Sequence, residues 1–187
     1  MLSECHMRQA TRECVDFLPS DLSRLPATLE GDVAMHRYEA RVSWQRDGAK
    51  FTDNRYSRGH EWSFDGGATV RASSSPLTVK VPYSVAEAVD PEEALVAATS
   101  SCHMLWFLSL AGRQGFVVDR YMDEAFGVME KNADGKVAFT RITLRPRIEF
   151  MGEKPPSPDE IAALHHLAHE ECFIANSLKC HVVIEGS

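Results

Sequence analysis

The chain has 187 residues, enough for one domain with a sizeable core that needs no disulfide or metal support. Hydrophobic residues make up 44% of it and charged residues 25%, an ordinary globular composition that excludes general disorder. The net charge of −7, from 20 basic and 27 acidic residues, argues against nucleic acid as a partner, because such proteins expose a basic face.

Five cysteines lack the spacing of a small disulfide-rich domain, which predicts reduced thiols. The first residues contain acids and no apolar stretch of the kind found in secretory signals. We therefore expect a cytoplasmic location.

Residues 1–34 show no sustained hydrophobic periodicity, and Pro19 and Pro26 would interrupt a helix there. We expect 1–34 to be an N-terminal extension that need not be ordered, followed by a single domain at 35–187.

The first part of that domain predicts antiparallel strands. Tyr38 to Trp44 alternates apolar and polar residues, and Asp47-Gly48 is a strong hairpin signal. The predicted strands are 38–44, its return at 49–52, a strand at Trp62 and Phe64, and its partner 68–72; a loop follows at 73–89.

A long helix begins after this loop. Asp90 is a good N-cap, Pro91 suits the first helical position, Glu93 can close a capping box, and Gly112 ends the helix. Its stretch from Ala94 to Ala111 carries no formal charge and is near the lower length limit of a membrane span.

The middle of that stretch is polar, from Thr99 to His103, and therefore suits lipid poorly. A helix that is apolar on all sides can equally be the core of a soluble fold. We expect a buried central helix and no membrane.

The second half predicts two long strands, at 117–130 and 137–150, joined by a turn at 132–135. A second helix begins at Ser157, where Glu160 can close a capping box, and extends to about Cys172. A final strand covers 180–185, so the fold class is α+β.

Two cysteines fall on these helices. Cys102 lies midway along the apolar helix, and Cys172 shares an apolar stripe at helical spacing with Ile161, Leu164, His165 and Ala168. Two inward-facing cysteines can form a functional pair, but a buried free cysteine is more often a small packing residue. The residues alone leave both interpretations open. The run Met104, Leu105, Trp106 and Phe107 is similarly expected in the core rather than around a pocket.

Three motifs together resemble one family. Asp90-Pro91-Glu92-Glu93-Ala94-Leu95, followed by Ser100-Ser101-Cys102, is similar to the first cysteine helix of the OsmC/Ohr family. Ala168-His169-Glu170-Glu171-Cys172, with Asn176 beyond it, resembles the second cysteine motif. Tyr56-Ser57-Arg58-Gly59 lies where the family has its active-site arginine, and the resemblance covers about residues 36–187.

This resemblance implies a thiol-dependent peroxidase that reduces organic hydroperoxides in the oxidative stress response, with hydrogen peroxide as a further candidate substrate. Cys102 would be the peroxidatic cysteine, Cys172 the resolving cysteine, and Arg58 the cation that stabilises the Cys102 thiolate. Glu92 would orient Arg58. No cofactor or metal would be bound, and an external dithiol, of the lipoyl type or a small thiol, would be the reductant.

The resemblance also implies an intertwined homodimer with sites at the subunit interface. Ten helical residues separate Glu92 from Cys102, about 15 Å along the helix. Glu92 therefore cannot contact Cys102 of its own helix, so the network needs a second chain or an arginine that bridges part of the gap.

Two rival functions stay open. His165, His169 and Cys172 have ligand-like spacing on one helix face, and Cys102-His103 could add to a metal site. Alternatively, the fold serves as a non-enzymatic, small-molecule-binding dimer with idle cysteines. Cys180 is a further candidate for the resolving thiol, although a packed strand residue is the expected role. His103 and Phe173 depart from the family pattern, which has an apolar residue and often proline there.

Overall fold

The computed structural model describes residues 36–185. A three-stranded antiparallel sheet begins the described part, with β1 at Ala40–Ser43, β2 at His60–Phe64 and β3 at Thr69–Ala72. The predicted pairing of the strand at Trp62 and Phe64 with 68–72 is confirmed, because β2 and β3 pair directly.

The return strand predicted at 49–52 is wrong. Asp47 and Gly48 do form a turn, with φ of 49° and 78°, but β1 pairs with β2 instead. Phe51 packs its ring against Trp44 and Tyr56, with ring centres 6.0 and 4.8 Å away. This aromatic cluster favours a compact loop over a second hairpin strand.

The predicted first helix is confirmed as α1, Pro91–Arg113. The Asp90 side chain accepts a hydrogen bond from the Glu93 backbone N–H at 2.7 Å, and the Glu93 carboxylate accepts one from the Asp90 N–H at 3.3 Å. These bonds satisfy donors that would otherwise have no partner at the helix start.

The two long strands are each divided in two. They form β4 (Val117–Asp123), β5 (Phe126–Lys131), β6 (Val137–Leu144) and β7 (Pro146–Met151), with β4 paired to β7 and β5 to β6. At the break the Asp123 carboxylate accepts a hydrogen bond from the Arg145 backbone N–H at 2.6 Å. Pro146 follows and has no N–H to donate to a ladder.

The C-terminal part contains α2 (Pro158–Glu171), the short α3 (Phe173–Ser177) and β8 (His181–Ile184). β8 lies parallel to β6 and completes a three-stranded sheet with β5. The sequence predicts α2 and β8 but not α3. The expected α+β class is confirmed, whereas the predicted extension at 1–34 lies outside the described residues.

The apolar core lies between α1, α2 and the β4–β7 pair. Its buried residues are Phe107, Leu110, Ala111, Phe116, Leu164 and Ala168. Ile148 and Phe150 of β7 and Tyr121 of β4 pack against this cluster.

Within this chain α1 is not the fully buried helix that its composition predicts. By length and composition it could cross a membrane, yet only 22% of its most apolar stretch is buried. The polar groups in that stretch bond within the protein: Thr99 to the Leu95 carbonyl, Ser100 to Asp123, and His103 to His165. These bonds satisfy the polar groups of α1, and the rest of the described chain covers one face of the helix.

Candidate active site

Cys102 and Cys172 come together where α1 crosses the end of α2. Cys102 is half-buried in the middle of α1, and its thiol is close enough to the Cys172 thiol to raise the pKa of Cys172. Both are free thiols, as is Cys180. The two cysteines singled out from the sequence are thus adjacent in space, on different helices.

Cys172 lies at a junction between two helices. It ends α2 and begins α3, and its sulfur accepts a hydrogen bond from the Ala175 backbone N–H at 3.4 Å. The residue is 1% exposed. Burial raises the pKa of the Cys172 thiol to about 11, and the neighbouring Cys102 acts in the same direction. Cys172 is therefore protonated at neutral pH, because burial disfavours the thiolate.

Two aromatic side chains, Trp106 and Phe173, lie near the cysteine pair. Trp106, one turn after Cys102, meets the exposed ring of Phe173 edge-on, with ring centres 5.5 Å apart. Phe107 points the other way, into the core, and is fully buried. The predicted core role of the 104–107 run is thus correct for Phe107 and for Trp106, which packs partly buried against the core, whereas Met104 lines a cavity. Leu105 is 61% exposed.

Arg58 does not contact either cysteine within its own chain. Its guanidinium stacks on the Tyr56 ring, 3.9 Å from the ring centre, and donates to the Asn54 carbonyl oxygen at 2.8 Å and to the Tyr56 carbonyl oxygen. Its backbone N–H donates to the Tyr83 carbonyl at 2.7 Å. The predicted activating arginine is therefore held by the loop that carries it.

Glu92 lies in the first turn of α1 and is half-buried. It faces a cavity of about 950 Å³ between α1, the 75–78 loop and the strands β4 to β6. The cavity wall combines carboxylates (Asp90, Glu92, Glu93 and Asp123) with apolar side chains (Leu77, Val96, Met104, Phe126, Met129 and Phe139). Neither Cys102 nor Arg58 lines it.

A buried pair of histidines, not predicted from the sequence, lies next to the cysteines. His103 Nε2 and His165 Nδ1 are 3.0 Å apart, and the residues are 1% and 4% exposed. Burial lowers the pKa of each to about 4, so both rings are neutral at physiological pH. The signal for this pair was His165 on the apolar stripe of α2, where a histidine must be buried.

The rival interpretation, a metal site, finds no support in the described residues. No group of three or more His, Cys, Asp or Glu side chains in residues 36–185 has the geometry to hold a metal ion. His165 bonds to His103 rather than converging with His169 and Cys172 on a common point.

Comparison with known proteins identifies the family. Residues 84–186 match the family model for OsmC-like proteins. An OsmC-like protein of unknown function from Vibrio cholerae O1 biovar eltor is 51% identical, with a TM-score of 0.80 over 82% of this chain and 100% of that one. The chain belongs to the OsmC-like protein family. No curated protein matches it.

More distant OsmC-like structures share the fold. An organic hydroperoxide resistance protein from Elizabethkingia anophelis is 12% identical, with a TM-score of 0.60 over 83% of this chain and 99% of that one. The organic hydroperoxide resistance protein OhrB of Bacillus subtilis is 15% identical, with a TM-score of 0.55 over 82% and 98%. At these identities the likeness establishes the OsmC-like fold alone.

Proposed function

We propose that this OsmC-like protein is a thiol-dependent peroxidase that reduces organic hydroperoxides. The observation that carries the proposal is the proximity of two free thiols from different parts of the fold, Cys102 on α1 and Cys172 at the end of α2, which interact electrostatically. Two free cysteines held together in this way can cycle between a dithiol and a disulfide without a large movement of either helix.

The two thiols differ in ways that suit two different roles. Cys102 is half-buried, which leaves it accessible to a substrate. Cys172 is buried, and its raised pKa, about 11, keeps it protonated at neutral pH. Because the thiolate is the nucleophile, a protonated Cys172 does not compete for peroxide. We therefore assign the peroxidatic role to Cys102 and the resolving role to Cys172.

The reaction proceeds in three steps. The Cys102 thiolate attacks one peroxide oxygen, the O–O bond breaks, and the leaving alkoxide takes a proton to become an alcohol. The resulting sulfenic acid condenses with the Cys172 thiol, which forms the S–S bond and releases water. An external dithiol, of the lipoyl type or a small thiol, then reduces the disulfide by exchange and is itself oxidised.

We infer that the active form is a homodimer. Only 22% of the most apolar stretch of α1 is fully buried within one chain, and Leu105 is 61% exposed in its middle. A large exposed apolar surface marks an interaction site. A second copy would cover α1, and it would also bring an Arg58 toward a Cys102 that no arginine of the same chain is seen to contact. Glu92, accessible in its cavity, would hold that arginine.

The surroundings of Cys102 favour an organic peroxide over hydrogen peroxide. The rings of Trp106 and Phe173 lie beside the cysteine pair, and Phe173 is 62% exposed. An alkyl or aryl group packs favourably against such rings, whereas hydrogen peroxide has no apolar part to bury. The reduced thiols also fit the cytoplasmic location expected from the sequence.

One observation favours a second function, a small-molecule-binding dimer without peroxidase activity. The cavity of about 950 Å³ mixes apolar and acidic walls, which is typical of a ligand site, and it does not include the cysteines. The rate at which Cys102 reacts with a hydroperoxide distinguishes the two functions. A peroxidase reacts faster than an ordinary thiol, whereas a binding protein does not.

The test is oxidation of the reduced protein with one equivalent of cumene hydroperoxide, followed by peptide mapping. Under the peroxidase proposal the wild type forms the Cys102–Cys172 disulfide, and Cys172→Ser accumulates a sulfenic acid on Cys102 that dimedone traps. Cys180→Ser is the matched control and should behave as the wild type. Scattered oxidation over all the cysteines would instead favour the binding function.

A further inference from the structure

A single hydrogen bond between two imidazoles crosses the α1–α2 interface close to the cysteine pair. His103 on α1 and His165 on α2 meet through Nε2 and Nδ1 at 3.0 Å, with their ring planes 7° apart. The Phe107 ring packs on His165, with centres 4.5 Å apart. This bond is thus a directional contact inside an otherwise apolar interface.

The bond requires one donor and one acceptor nitrogen, which two neutral imidazoles provide. Burial keeps both pKa values low, at about 4. Other titratable groups face the pair: the charges of His165 and His169 lower the pKa of His103, and that of Asp123 on β4 acts to raise the pKa of His165. Buried polar groups of this kind are costly, so their retention in a core calls for a physical reason.

The apolar composition of α1 explains why a polar contact is useful in this interface. Apolar side chains occur around much of this helix, so packing alone specifies its rotation against α2 weakly. A buried polar contact in an apolar helix interface is a known means of fixing register. Any other register would break the bond and leave its two nitrogens without partners, as His103 Nδ1 and His165 Nε2 already are. The histidine bond therefore selects one rotation of α1 about its axis and one position of α1 along that axis, both relative to α2.

That register also determines the sulfur contact. Cys102 directly precedes His103, and Cys172 follows His165 by seven residues, two turns along the same face of α2. A rotation of α1 that separates the two rings also moves Cys102 relative to Cys172. The geometry of the resolving step thus depends on the histidine bond, although neither ring is seen to contact a sulfur.

We propose that His103 and His165 form a positioning pair that holds the Cys102 and Cys172 sulfurs in register for disulfide formation. The biological role of this pair rests on the proposed peroxidase function. The pair should favour disulfide formation between Cys102 and Cys172 whichever oxidant is used. The pair takes no part in bond making itself.

The principal test compares the wild type with the double variant His103→Leu/His165→Leu, using diamide as the oxidant. Diamide adds to one thiolate, and the second thiol then displaces it, which forms the disulfide and a hydrazine. Leucine has nearly the volume of histidine, and replacing both bonded partners by apolar groups can leave stability unchanged. We expect the double variant to form the Cys102–Cys172 disulfide at least tenfold more slowly, with an unfolding midpoint close to that of the wild type.

A second comparison needs no double variant and separates positioning from general stability. In His103→Gln the amide can still bond to His165, whereas in His103→Met it cannot. The glutamine variant should restore rapid disulfide formation, and the methionine variant should remain slow and accumulate dimedone-trapped sulfenic acid after cumene hydroperoxide. Equal rates in the two variants, or a folded double leucine variant with the wild-type rate, would overturn the proposal.

The two proposals fail in different ways. If the wild type ignores cumene hydroperoxide but diamide still forms the disulfide in a histidine-dependent manner, the peroxidase function is wrong and the positioning pair stands. If the wild type reacts with the peroxide while all histidine variants resolve equally fast, the peroxidase function stands and the positioning role is wrong.

Discussion

The guanidinium of Arg58 lies flat on the ring of Tyr56, two residues before it in the chain, 3.9 Å from the ring centre. One of its nitrogens also bonds to the carbonyls of Asn54 and Tyr56. The side chain is therefore held in a defined orientation, and a guanidinium has five N–H donors in a planar fork, more than these bonds use. Such an arginine can bind an anionic group with its remaining donors.

Replacement of Arg58 should slow the reaction with peroxide. We expect Arg58→Met to lower the rate of Cys102 oxidation by cumene hydroperoxide on the order of 100-fold, the typical cost of removing one electrostatic stabiliser. Arg58→Lys should be intermediate, since lysine keeps the charge but lacks the fork. Arg55→Met is the matched control, because exposed Arg55 bonds to Tyr83 instead. Wild-type rates in Arg58→Met would remove Arg58 from the site.

A charge in the middle of the uncovered face of α1 should disrupt the homodimer. We expect Leu105→Asp to shift the protein toward monomer in sedimentation equilibrium, because an unpaired carboxylate buried in an interface costs several kcal/mol. Leu105→Met keeps the apolar surface and should remain dimeric. Monomers in the wild type, or dimers in Leu105→Asp, would contradict the proposed assembly.

The buried thiol of Cys172 should make the protein less stable at high pH. Its pKa is raised from 9.0 to about 11 in the folded state, so the unfolded state releases the proton first as the pH rises. Stability is therefore complete below pH 9 and falls between about pH 9 and 11, by about 2 kcal/mol from this group. Urea unfolding of the wild type and Cys172→Ala across this range measures the effect. A parallel decline in both proteins would exclude it.

The histidine pair should make stability fall on the acid side. The pKa of each ring is lowered from 6.5 to about 4 by burial, so the unfolded state binds more protons between these values. Stability present above pH 6.5 is thus lost as the pH falls toward 4. Carboxylates titrate in the same range, so the measured quantity is the difference between the wild type and His103→Leu/His165→Leu. A constant difference from pH 7 to 4 would mean that the rings do not titrate as proposed.

Much of the fold could be predicted because its signals are local. Asp90 with Glu93, and Ser157 with Glu160, specify two helix starts through capping boxes that the structure contains. The cysteine pair was reached through motif resemblance, and the helical stripe ending at Cys172 independently predicted its burial. The burial of Cys172 was therefore predictable from spacing alone, whereas its proximity to Cys102 was not.

The features that were missed depend on contacts between distant residues. Residues 49–52 do not form a strand because the Phe51 ring packs against Trp44 and Tyr56. No local sequence pattern indicates these contacts. The break at Asp123 follows from its bond to Arg145, which lies between β6 and β7. His103 and His165 are 62 positions apart in sequence, so their pairing could not be predicted from either helix alone.

The most direct test of the central claim is the second-order rate constant of reduced Cys102 with cumene hydroperoxide and with hydrogen peroxide, measured by stopped flow on the wild type and on Cys102→Ser. The peroxidase proposal predicts a fast reaction, several orders of magnitude above that of a free thiol, with the organic peroxide preferred and all of the fast reaction lost in Cys102→Ser. A slow rate, equal for both peroxides and unchanged in Cys102→Ser, would contradict it.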